Sequence, residues 1–238
     1  MVKNIFKIIA VFIIGTVGGI FADQILWPYF IERPLFHQYR LEQSPIYVTE
    51  RKEIIIQENI ALIYAVEKVE KVVIGVKSET KTGKILEGSG LIVTSDGLVV
   101  TLADLVPRGS TFSFFIDGES VHFQILKRDL EENLALIKIE KTNLPTAGFA
   151  DFEKIKLGER VFLVGVIFED GVPQKVVNEG IITTFNERVL QTNISEKKIL
   201  EGSPLFDIEG QVVGLNQIDK TSSVSAISIK KIREFIGF

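Results

Sequence analysis

The chain has 238 residues, 46% of them hydrophobic, which suffices for one two-lobed domain or two small ones around a buried core. Lys and Arg number 27 against 31 Asp and Glu, for a net charge of -4, and no basic cluster tracks a phosphate backbone, so nucleic acid is not expected as a partner. With no cysteine there is no disulfide, thiolate catalyst or thiolate metal site, and the two histidines, His37 and His122, leave almost no material for an imidazole base or a histidine-ligated metal.

Lys3 and Lys7 precede an uncharged run from Ile8 to Ala22 that contains Gly15, Gly18 and Gly19. Counted from Ile5, with Lys7 reaching back to the headgroups, the run is long enough to cross a bilayer, which takes roughly 17 to 25 residues. A signal peptidase cut after Ala22 would put Ile20 where a small residue is wanted, so an uncleaved anchor is expected. Its apolar residues surround the whole helix, unlike the single stripe of a helix packed on a soluble core. Lysines before the segment and Asp23 after it place the N-terminus inside and the body of the protein outside, with Trp27, Tyr29 and Phe30 at the outer interface. Residues 1–31 are therefore assigned to a cytoplasmic N-terminus and transmembrane anchor of a single-pass protein of the cytoplasmic membrane.

Residues 32–64 read as a stalk broken by Pro34 and Pro45, with a short alternating stretch at Lys52 to Ile56. A short helix is expected over Asn59 to Lys71, where Ile60, Ile63, Tyr64, Val66 and Val69 fall near helical spacing and Glu67 and Lys71 stand four apart. After Lys71 the hydrophobic period changes to two. Turns at Ser95-Asp96-Gly97, Asp117-Gly118 and Glu209-Gly210 separate Gly90 to Thr94 from Leu98 to Thr101, Phe112 to Ile116 from Ser120 to Leu126, and Leu205 to Ile208 from Gln211 to Leu215. Further strands are expected at Val73 to Ser78, Leu134 to Glu140, Arg160 to Phe168, Val176 to Phe185, Arg188 to Thr192 and Val224 to Ile229, with a closing helix from Lys230 to Ile236. So many short strands suit an all-β pair of barrels, because closure removes exposed edges. The barrels are placed at about 65–145 and 150–229, in a domain of 65–238.

Gly88-Ser89-Gly90-Leu91-Ile92-Val93, followed by Asp96-Gly97-Leu98-Val99-Val100-Thr101, resembles the opening hairpin of HtrA-type trypsin-like serine proteases. In order after it, Asp129 to Ile139, Asn143-Leu144-Pro145, Lys156 to Val161, Gly202 to Phe206, Glu209 to Asn216 and Ser225 to Ile229 resemble later segments of that family. The resemblance covers roughly residues 65 to 236 and implies a trypsin-like double β-barrel; no counterpart of the family's PDZ domain is expected. Acyl transfer by a triad needs a hydroxyl nucleophile, an imidazole and a carboxylate that fixes the imidazole's tautomer. On this resemblance the histidine position falls on Asp104, in Thr101-Leu102-Ala103-Asp104, the aspartate position on Asn133, and the serine position on Glu201, three residues before Pro204. Ile199 and Ser203 replace two glycines of the nucleophile motif, and a carboxylate at Glu201 repels the charge an oxyanion hole must stabilise. No catalytic residue is therefore expected, and Ser203 is read as a turn hydroxyl, two positions out of register and with no histidine beside it.

If the fold brings Asp104, Asn133 and Glu201 together, an oxygen-rich cation pocket or an acid/base pair of carboxylates can be weighed, but two carboxylates and one amide fall short of calcium's six to eight oxygens. Loss of constraint after loss of the nucleophile is the plainer account, and no metal or other cofactor is expected. These readings point to a membrane-anchored pseudoprotease that binds an extended peptide or an envelope protein outside the cytoplasmic membrane. The alternatives are an active endopeptidase of envelope protein quality control with a non-standard centre, and a purely structural role.

Overall fold

The computed structural model describes residues 2–25, 60–197, 200–219 and 222–238. Trp27, Tyr29, Phe30, the prolines and strand-like stretch of the expected stalk, His37 and Ile199 lie outside the described residues. The chain divides into two compact units, residues 1–56 and 57–238.

In the first unit, α1 (Val2–Phe21) continues as a wider helical turn through residue 25. Residues Lys3–Ile25 are long and apolar enough to cross a membrane, about 35 Å at 1.5 Å per residue. Their side chains are exposed all around the helix, as the uninterrupted apolar composition requires.

The second unit begins with α2 (residues 60–69), whose Leu62, Ala65, Val66 and Val69 turn one face to the hydrophobic core. Lys68 Nζ donates to the Glu209 carbonyl at 2.8 Å, and Val69 lies against Gly210. The helix expected at the end of a stalk is thus packed onto the domain. Glu67 and Lys71 form no ion pair, because α2 gives way to a 3-10 turn, Glu70–Val72, that carries Lys71 off the α-helical spacing.

Thirteen strands follow: β1 (Val73–Glu79), β2 (Ile85–Ile92), β3 (Leu98–Leu102), β4 (Thr111–Ile116), β5 (Glu119–Val121), β6 (Phe123–Asp129), β7 (Leu134–Ile139), β8 (Arg160–Glu169), β9 (Val172–Phe185), β10 (Val189–Ser195), β11 (Pro204–Asp207), β12 (Val212–Ile218) and β13 (Ser223–Ser228). The second lobe is a closed barrel in the order β10-β13-β12-β11-β8-β9. The first is a seven-stranded sheet in the order β5-β4-β1-β2-β3-β7-β6. Its two edge strands are neighbours in sequence, joined by His122 alone, so the sheet rolls until one bent segment serves both margins. The Phe114 and Phe123 rings, 4.6 Å apart between β4 and β6, fill the roll. The single strand expected over Ser120 to Leu126 is this bent segment.

Turn chemistry sets the registers. Asp117 and Gly118 both have positive φ, 50° and 87°, as a two-residue hairpin turn requires, and Asp170 and Gly171 repeat that geometry at 50° and 81°. The second pair closes the long β8–β9 hairpin, whose register runs from Arg160↔Ile181 to Glu169↔Val172. β9 starts earlier than the Val176 expected, since Pro173 sits where the ladder tolerates a missing donor. The last helix, α3 (Ile229–Ile236), is capped by Ser228 Oγ, which accepts the Lys230 N–H at 3.2 Å, and ends at Gly237 with φ 86°.

The lobes meet through β1 and β2 against β8. The Phe115 and Phe168 rings stand 5.2 Å apart across this seam, and Gly75 lies so close to the Phe168 and Val166 side chains that a Cβ there would push them aside.

Candidate functional site

Asp104 and Asn133 are brought together by one ladder. β3 and β7 pair Leu102 with Leu134, so the 3-10 turn after β3 (Ala103–Leu105) faces the turn before β7. There the Asn133 carbonyl accepts the Ala103 N–H at 3.1 Å, and Asn133 Oδ1 accepts the Asp104 N–H at 3.0 Å. Asn133 adopts φ 51°, a left-handed conformation that asparagine tolerates better than most residues. The Asp104 side chain itself is exposed.

Glu201 comes from the second lobe, on the short turn that precedes β11, and is 9% exposed. Its carbonyl accepts the Ser89 N–H of β2 at 2.9 Å. Next to it, Gly202 N donates to the Asn216 carbonyl at 2.9 Å, and Asn216 N donates to the Ser203 carbonyl at 2.8 Å. The turn is therefore stitched to both lobes by its backbone. Gly202 has φ 75°, and a Cβ there would run into the Ser89 carbonyl and Leu105. Asp104 and Glu201 line one cleft of about 490 Å³, together with Lys84, Leu86, Glu87 and Leu105, between the β1–β2 hairpin and the turn. Asn133 is not among its lining residues but anchors the backbone of Asp104, which is.

Ser203 is fully buried. Its hydroxyl donates to Ser89 Oγ at 3.2 Å, and Ser89 Oγ also accepts the Val166 N–H at 2.8 Å. Thr101 Oγ1 donates to the Ser89 carbonyl at 2.6 Å. These hydroxyls tie β2, β3, β8 and the Glu201 turn into one buried polar seam. The sequence offered a partial signal for it in the small residues of Gly88-Ser89-Gly90, but spacing alone did not single out Ser89 or Thr101.

His122 is exposed at the bend between β5 and β6, its carbonyl accepting the Glu140 N–H at 3.0 Å. That is the far end of the β6–β7 ladder from Asn133, about 23 Å along the strand at 3.3 to 3.4 Å per residue. Among the described residues no group of three or more His, Cys, Asp or Glu side chains is placed to hold a metal ion.

The segment that builds this cleft is also the segment that matches a known family. Residues 88–215, more than half the chain, match the family model of the trypsin-like peptidase domain. The chain belongs to the trypsin-like peptidase family. Its relatives include a probable periplasmic serine endoprotease DegP-like of Halomonas elongata, 30% identical over 138 residues, 54% of this chain and 28% of that protein. The serine protease HTRA1 of Xenopus laevis is 32% identical over 165 residues, 63% of this chain and 35% of that protein. The chain thus spans about a third of the length of these relatives. Among solved structures, the HtrA-type protease AlgW with tripeptide superposes with a TM-score of 0.65 at 22% identity, covering 73% of this chain and 61% of that one, a likeness of fold. The matches to HTRA1 and to AlgW are to HtrA-type proteases, and the span matched by the family model holds a single histidine, His122.

Proposed function

We propose that this trypsin-like peptidase homologue is a pseudoprotease: a membrane-anchored, extracytoplasmic module that holds an extended peptide or an envelope protein without cutting it. The reading rests on one observation above all. At the cleft between the lobes stand Asp104, whose backbone is held by Asn133, and Glu201. Those residues occupy the positions at which the family resemblance puts histidine, aspartate and serine. Neither an amide nor a pair of carboxylates supplies the imidazole and hydroxyl that acyl transfer needs.

Two further observations support it. The hydroxyl nearest in sequence, that of Ser203, is buried and bonded to Ser89, out of reach of a substrate carbonyl. The His122 ring is exposed at the far end of the first lobe's ladder. Binding by addition of an extended strand uses backbone groups and side-chain pockets, and so survives loss of a triad. The apolar α1 suits a membrane anchor, and the lysines on its N-terminal side suit an inside N-terminus and an outside body.

The names of the relatives favour a second reading, an active serine endopeptidase of the envelope. One experiment separates the two. The full chain in detergent is given unfolded casein and a fluorogenic peptide library, with binding of the same peptides followed by fluorescence anisotropy. Binding without hydrolysis is expected; hydrolysis abolished by Ser203→Ala, with the fold retained, overturns the pseudoprotease.

A further inference from the structure

Asn216 lies on β12, between β11 and β13, and is fully buried. Its peptide group is spoken for: the N–H donates to the Ser203 carbonyl, and the carbonyl accepts the Gly202 N–H. Its carboxamide is not. Neither Oδ1 nor Nδ2 has a hydrogen-bond partner among the described residues. A primary amide offers two donors and two acceptor sites, and leaving such a group dry in the core is destabilising.

Polar side chains of the buried seam and of β13 have other engagements. Ser203 Oγ donates to Ser89, Thr101 Oγ1 donates to the Ser89 carbonyl, and Ser228 Oγ caps α3. Strand packing leaves little space beside them. A side chain at Gly214 would meet the Ile227 carbonyl, and one at Gly165 would meet Ser203 Oγ. A water molecule both donates and accepts hydrogen bonds and is small enough for a close-packed interior, and buried waters commonly sit on such otherwise unpaired groups.

We propose that the Asn216 carboxamide binds a buried water molecule beneath the Glu201–Ser203 turn. The water satisfies the side chain of the residue whose backbone grips that turn on both sides, so it helps fix the floor of the cleft that Glu201 lines. The inference does not depend on whether the cleft is catalytic, since it concerns the packing under the turn alone.

A crystal structure of the full chain in detergent, at a resolution that shows ordered solvent, tests it directly. A solvent peak within hydrogen-bond distance of Asn216 Oδ1 and Nδ2 is expected. A carboxamide bonded to protein atoms, or one with no solvent peak beside it, overturns the proposal. Chemical unfolding gives a second readout. Asn216→Leu displaces the water with apolar volume and is expected to lower the folding constant about five- to thirtyfold. Because leucine can also overpack the site, the smaller Asn216→Val is measured beside it; a loss supports the bound water, and an unchanged or raised folding constant overturns it.

Discussion

The Asn133 side chain holds the backbone of Asp104: its carboxamide oxygen accepts the Asp104 N–H at 3.0 Å while its main-chain carbonyl takes the N–H of Ala103. One residue in a left-handed conformation thus shapes the turn that carries a cleft-lining carboxylate. Asn133→Ala removes the acceptor and places alanine at φ 51°, so a loss of about 1 to 3 kcal/mol is expected in urea unfolding. Asn133→Asp keeps the acceptor and is expected to stay within about 1 kcal/mol of the parent. Equal losses in the two variants would show that the hydrogen bond contributes nothing.

In the buried seam, Ser89 and Ser203 are not equivalent. Ser203→Ala takes away one hydroxyl and leaves Ser89 Oγ still accepting from Val166, an expected cost of about 1 kcal/mol. Ser89→Ala strands the buried Val166 N–H and the Ser203 hydroxyl together, and about 2 to 4 kcal/mol is expected. A double-mutant cycle by denaturant unfolding reads the coupling between them, expected at about 0.5 to 1.5 kcal/mol.

Gly202 and Gly118 share a positive φ but not a neighbourhood. A side chain at Gly118 meets nothing within 4 Å, so Gly118→Ala is expected to cost only the backbone strain, about 1 to 2 kcal/mol. Gly202→Ala adds a clash with the Ser89 carbonyl and Leu105, and is expected to cost about 4 kcal/mol or more, or to prevent folding. Comparable thermal shifts for the two would refute the close packing of the Glu201 turn.

Burial pushes the Asp207 carboxyl above the usual carboxylate range, against the opposing pull of the Gln211 and Glu209 N–H groups that its Oδ1 accepts. A carboxyl whose pKa is higher in the folded state than in the unfolded chain favours folding below the unfolded value and loses that contribution as pH rises through the folded one. Asp207→Asn keeps the Oδ1 acceptor and removes the charge. The variant is therefore expected to gain in melting temperature over the parent at pH 7, and the gain is expected to vanish as pH falls below about 4, the ordinary carboxylate value. A difference that is flat with pH would exclude a buried ionised Asp207.

How far the sequence could be read depended on how local each signal was. The hairpin at Asp117-Gly118, the strand at Leu134 and the closing helix that ends at Ile236 announce themselves through neighbours two to four residues away, and all stand where their patterns place them. The equivalent Asp170-Gly171 turn carries the same local chemistry, but Pro173, two residues on, breaks the strand pattern that would mark it as a hairpin. The rolling of the first lobe was not readable. Nothing in His122 or its neighbours says that one bent segment must pair with β4 on one side and β7 on the other.

The sequence by itself determined an apolar N-terminal helix, an all-β domain and the absence of any cysteine, because hydrophobic period, turn residues and composition act over a few positions of the chain. Only the tertiary structure decided that Asp104 and Glu201 share a cleft, that Ser203 is sealed against Ser89, and that the Asn216 carboxamide has no partner among the described residues. The first two of these facts join residues about 100 positions apart, and the registers of β2, β8 and β12 that create them are set by closing two lobes against each other.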